Sequence, residues 1–116
     1  MLLISLVLSL QAASAQSASL CFATATRVYT PARSAEICRN VGSNVCFANA
    51  HRSFTLETSA DMCRNVYSDL CMQDTLRFYT LSTSVQTCTR VMSDDCYRAQ
   101  RQYYTIARSA DLCRAS

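Results

Sequence analysis

Glycine and proline are nearly missing from this chain of 116 residues: there is one of each, Gly42 and Pro31. These residues punctuate all-β folds, so their scarcity argues against a sandwich or barrel. With a single glycine there is also no Gly-rich loop to cradle a phosphate. Lysine is absent, and all eleven basic residues are arginine. The net charge of +3 is far milder than a nucleic-acid-binding domain carries, so no nucleic acid is expected as a partner. His51 is the only histidine and there is no Cys-x-x-C, which excludes the ligand spacing of a zinc site; no metal and no cofactor are expected. No Ser-His-Asp or Cys-His arrangement is visible. The adjacent carboxylates Asp94 and Asp95 suit a helix N-terminus as well as they suit acid–base chemistry. None of this amounts to a catalytic signature, and the chain reads as a non-enzyme.

Long apolar runs are missing too. Leu2–Leu10 falls short of the ~20 residues that span a bilayer, so no transmembrane segment is expected. Followed by the small residues Ala13-Ser14-Ala15, it reads as the core of a secretory signal peptide, Met1–Ala15, cut before Gln16. The bulky Leu20 directly before Cys21 argues against a lipoprotein. The expected protein is therefore secreted or periplasmic, with 16–116 as a single domain.

What the chain has in quantity is cysteine. The eight lie at 21, 38, 46, 63, 71, 88, 96 and 113, with gaps alternating between 17 and 8. That is a period of 25 without insertion or deletion, the mark of a repeat array. The copies are 21–45, 46–70, 71–95 and 96–116. Behind a signal peptide, so many cysteines imply a disulfide framework. Pairing across 17 residues uses all eight: Cys21 with Cys38, Cys46 with Cys63, Cys71 with Cys88, Cys96 with Cys113. Pairing across 8 would orphan Cys21 and Cys113, so the first scheme is expected.

Within a copy, counting its first cysteine as position one, position nine is aromatic (Tyr29, Phe54, Tyr79, Tyr104). Position ten is threonine, and positions fourteen and twenty-three are serine. Ser34-Ala35-Glu36 and Ser68-Asp69-Leu70 both read as helix N-caps followed by an acid. Two helices per copy follow, A and B, which in the second copy are predicted over about Asn44–Phe54 and Ala60–Val66. The apolar stripe Cys46, Phe47, Ala50 and Phe54 lies on one face of helix A. The stripe rotates between helix B and the next helix A, which predicts a turn there. The rivals are a zig-zag of merged helices and, from the strand-like composition of Phe78–Leu81 and Tyr103–Ile106, an α/β solenoid. The expected fold is all-α: four tandem helix-turn-helix repeats forming a short disulfide-stapled α-solenoid. In this it broadly resembles the disulfide-stapled helical repeat proteins of secreted compartments.

Position seven carries Arg27, Arg52 and Arg77, predicted to form a row on the outer face of the A helices. Forked guanidinium groups suit carboxylate, sulfate or phosphate. The expected partner is an acidic protein surface, a glycan or a lipid headgroup. Alternatively the stems cover the aromatic at position nine. On helix B, Glu36/Arg39, Asp61/Arg64 and Asp111/Arg114 are spaced for local ion pairs, and both charges are absent from the third copy (Gln86/Thr89). The functional expectation is a non-enzymatic binding or structural module; the alternative is a small secreted enzyme or enzyme inhibitor.

Overall fold

The computed structural model describes residues 19–115; the signal-peptide reading lies outside them. Each copy is a pair of short helices: α1 (Leu20–Ala25) with α2 (Pro31–Ile37), α3 (Asn44–His51) with α4 (Leu56–Met62), α5 (Asp69–Leu76) with α6 (Leu81–Cys88), and α7 (Asp94–Arg101) with α8 (Ile106–Leu112). Helices this short are not stable alone in water, where ~12–15 residues are marginal. They are held by caps, staples and neighbours.

Capping shows where sequence reading missed. The B helices begin four residues earlier than Ser34 suggested, because the threonine of position ten is the cap. The hydroxyls of Thr30, Thr55, Thr80 and Thr105 accept from the backbone N–H of the third residue on, at 3.2–3.3 Å. The serines of position fourteen lie inside the helices and are fully buried. Ser43, Ser68 and Ser93 do cap the A helices, accepting from Cys46, Cys71 and Cys96. Helix α3 ends at His51, so Phe54 is not part of its buried stripe but a half-exposed turn residue. Phe78–Leu81 and Tyr103–Ile106 are turns leading into helices, and no strand occurs among the described residues.

Each copy is closed by one disulfide across 17 residues: Cys21–Cys38, Cys46–Cys63, Cys71–Cys88 and Cys96–Cys113. Each such loop is worth ~3 kcal/mol in a chain-entropy view. Around the sulfurs the core repeats in rows. Val41, Val66 and Val91 form one row, Ala25, Ala50 and Thr75 another, and Phe47, Met72 and Tyr97 a third. The third row packs between copies: α1, α3, α5 and α7 contact one another in succession, and each A helix also touches the next B helix.

Chain reversal between a B helix and the next A helix occurs at position twenty. Asn40, Asn65 and Arg90 take φ of 61°, 67° and 65° there. Asparagine tolerates this left-handed conformation, which ends helices without glycine. The merged-helix alternative is thereby replaced by a turn. The same residues zip the copies together. Asn65 N–H donates to Asn40 C=O at 2.7 Å, Arg90 N–H to Asn65 C=O at 2.8 Å, and Ala115 N–H to Arg90 C=O at 2.9 Å.

Two side-chain devices repeat this bonding. The carboxylates of Asp69 and Asp94 each accept from the capping serine of the previous A helix (2.6 Å) and from a backbone N–H beside it (3.1 Å). The guanidinium of Arg64 reaches back to the carbonyls of Ile37 and Arg39, and that of Arg114 to those of Thr87 and Thr89. Asp61 and Asp111 hold these arginines as local ion pairs. Glu36 pairs instead with Arg33, at 3.0 Å, and not with Arg39. The inter-copy clip explains the difference. Arg64 and Arg114 are drawn onto the preceding copy's carbonyls, which sets them beside their aspartates; Arg39 has no such carbonyls among the described residues.

Candidate functional site

Arg27, Arg52 and Arg77 fall where helix A ends, Arg52 and Arg77 as the C-cap residues of α3 and α5. All three are exposed, and none takes part in an ion pair among the described residues. Cations at a helix C-terminus sit favourably against its dipole. The aromatics of position nine, Tyr29, Phe54, Tyr79 and Tyr104, are each more than a third exposed. Only Arg77 lies on a ring, that of Phe78 at position eight, 5.5 Å from its centroid. Tyr29 donates its hydroxyl to Glu57 of the next copy, which holds the Glu57 carboxyl below its ordinary range and raises the tyrosine.

The row is not uniform, because a groove of about 430 Å³ opens beside Arg77 between α5 and α7. Its floor is Leu70 and the edge of Tyr97. One wall is Gln73, Asp74 and Arg77 of the third copy, and the other is Arg98, Arg101 and Gln102 of the fourth. Arg27 and Arg52 do not line it.

The charges inside the groove are arranged in one chain. Asp74 Oδ2 accepts from the Tyr97 hydroxyl at 2.6 Å and from Arg101 Nε at 2.8 Å. The Asp74 side chain is only 14% exposed, so this pairing satisfies a carboxylate that burial would otherwise penalise. Burial and the neighbouring Asp74 hold the Tyr97 hydroxyl well above its usual range, so it stays protonated and a donor. Arg101 is held charged by its bond to Asp74 and spends a further N–H on the Tyr104 carbonyl, at 3.0 Å. Arg98 has only an exposed bond to Asp95, at 3.2 Å. The groove's carboxylate is therefore neutralised from within; its unpaired cation is Arg77, and Arg98 is held only by the exposed Asp95.

His51, a candidate only through its chemistry, is structural. Its ring stacks on Phe47 at 5.3 Å and its Nδ1–H donates to the Phe54 carbonyl at 3.2 Å. No protein-family model, curated protein or solved structure matches this chain.

Sequence reading found Arg77 but missed Gln73 and Asp74. A signal was present. Positions three, four and six read Ala-Ala-Gln-Arg, Thr-Asn-Asp-Ala and Thr-His-Leu-Arg down the copies: these positions vary where most others recur, and position three changes from alanine in the third and fourth copies.

Proposed function

We propose that this protein is a non-enzymatic binding module of an oxidising, secreted or periplasmic compartment, and that it engages an anionic ligand through Arg27, Arg52 and Arg77. The observation that carries this reading is Arg77. It stands exposed, without a carboxylate partner, on the lip of a groove whose own carboxylate is already matched by Arg101. A cation arranged so has its bidentate fork available for a carboxylate, sulfate or phosphate group. Arg27 and Arg52 extend the same position along consecutive A helices, which pack side by side at the ~8–10 Å usual for neighbouring helices. Four disulfides are consistent with the oxidising compartment that a leader over Met1–Ala15 would direct the chain to.

The test is a binding screen of acidic oligosaccharides, polyaspartate and anionic lipid vesicles at two ionic strengths. Binding should weaken as salt rises, since exposed charges are screened within ~8–10 Å at 0.1–0.15 M. Arg52→Ala alone should weaken it modestly, Arg77→Ala more, and the triple Arg27/Arg52/Arg77 alanine variant should abolish it. If no anion binds, or if the triple variant binds like wild type, the row is a solvated face and the reading fails.

A further inference from the structure

In a repeat array, positions that recur make every junction alike, and positions that vary from copy to copy can make one junction unlike the others. Four residues at such variable positions, Gln73, Asp74, Arg98 and Arg101, line the groove between α5 and α7. The corresponding positions of the first two copies carry Ala23, Thr24 and Thr26, and Ala48, Asn49 and His51. The groove's size falls inside the ~300–1,000 Å³ of small-ligand sites.

The chemistry of the walls narrows the ligand further than "anion". Arg77 and Arg98 supply forks for a carboxylate or sulfate. Gln73 and Gln102 supply two amides, each both donor and acceptor. A carboxylate or sulfate calls only for donors, so the acceptor half of each amide suits a ligand that also carries its own donors, as the hydroxyl groups of a sugar do. The floor, Leu70 with Tyr97, is apolar. A second depression, of about 470 Å³, begins on the other side of Arg101 and is lined by Phe78, Tyr79, Thr105, Ile106 and Ala107. Phe78 and Tyr79 are 61% and 51% exposed, a display of ring surface that the core does not use. An aromatic ring set beside hydrogen-bonding groups suits the C–H face of a pyranose.

We infer that the third copy–fourth copy junction is a site for an acidic sugar: a uronate or sulfated hexose in the groove, its carboxylate or sulfate on Arg77 and Arg98 and its hydroxyls on Gln73 and Gln102, with the neighbouring sugar stacked over the Phe78–Tyr79 ledge. The Asp74–Tyr97–Arg101 chain is the positioning device. It pins Arg101 between the two depressions and prevents Asp74 from repelling the ligand. This rests on the anion-binding reading above and deepens it. The same chemistry is offered by a free sugar acid and by a unit within a polysaccharide, and the ledge distinguishes them because only the latter has a neighbour to stack.

The experiment is calorimetric titration of the mature protein with tetramers of galacturonate, a glucuronate-containing tetrasaccharide and a sulfated tetrasaccharide, beside free galacturonate, a neutral tetrasaccharide and polyaspartate of equal charge. At least one acidic tetrasaccharide should bind, more tightly than polyaspartate by about tenfold or more, and the neutral one should not. Gln73→Ala and Gln102→Ala, both at exposed positions, should each weaken acidic-sugar binding roughly three- to tenfold, the worth of one neutral hydrogen bond, and leave polyaspartate unaffected. Tyr79→Ala, at an exposed ledge position away from Arg77, should weaken the tetrasaccharide and leave the free sugar acid unchanged; thermal melts of all three variants check that the fold is intact. If polyaspartate or anionic vesicles bind as tightly as every acidic sugar and the glutamine variants change nothing, the sugar assignment falls while the anion reading stands. If none of the anions binds, both fall. Binding of the free acid equal to the tetramer, unaltered by Tyr79→Ala, overturns the polysaccharide source and leaves a site for the free acid.

Discussion

Replacing Asp94 tests how the copies are joined. Its Oδ1 accepts from the Ser68 hydroxyl at 2.6 Å and from the Leu70 backbone N–H at 3.1 Å, so a residue that opens α7 also caps α5. In Asp94→Ala both donors lose a charged acceptor at a partly buried place. Hydrogen bonds to charged groups contribute ~1.5–3 kcal/mol, and water recovers part of that here, so a loss of ~2 kcal/mol is expected. For a domain of this size ~1 kcal/mol moves the melting temperature by ~4–8 °C, so the fall should be roughly 8–16 °C. Two controls isolate the cause. Asp94→Asn keeps an oxygen in place, as Asn44 does at the first junction by accepting from Leu20 N–H at 3.0 Å, and should lose much less. Asp95→Ala removes a carboxylate that is 96% exposed and should barely shift the melt. The assay is thermal unfolding followed by circular dichroism, disulfides intact. If Asp94→Ala melts within ~2 °C of wild type, or no lower than Asp95→Ala, the inter-copy cap does not hold the stack together.

The staples should not be equivalent. Changing Cys46 and Cys63 to serine, both fully buried and with a copy on either side, should lower the melt more than changing Cys96 and Cys113, where Cys96 is partly exposed; equal losses would show that the copies fold independently. Ser84 and Ser34 bury hydroxyls that have no hydrogen-bond partner. Ser84→Ala removes that ~1 kcal/mol desolvation cost and should leave the protein as stable as wild type or raise its melt by a few degrees; a clear fall would mean that the hydroxyl is satisfied after all.

Much of the fold was legible because it rests on local chemistry repeated four times. The cysteine spacing gives the copy length and the pairing, since a staple across 17 residues leaves no cysteine over. Ser43 and Ser68 cap as their sequence context suggests, since an N-cap needs only its own next three residues. The caps of the B helices were misread for an instructive reason. Thr30 and Ser34 are both cap residues by type, and what separates them is burial. Ser34 faces the core, where a small side chain is needed, and Thr30 stands at the exposed turn.

What the amino-acid sequence determined by itself, then, was the period, the two helices per copy, the turn after each B helix and the recurrence of arginine at position seven. Only the tertiary structure decided what those copies do to one another. Asp69 and Asp94 look like ordinary first-turn acids, and Arg64 and Arg114 like halves of local ion pairs, yet each reaches about 25 residues back to bond the preceding copy. The groove beside Arg77 belongs to the same class. Asp74 and Arg101 are 27 residues apart and carry no mutual signal in the chain. They meet because stacking brings equivalent faces of consecutive A helices together, so a site between copies exists only once the copies are packed.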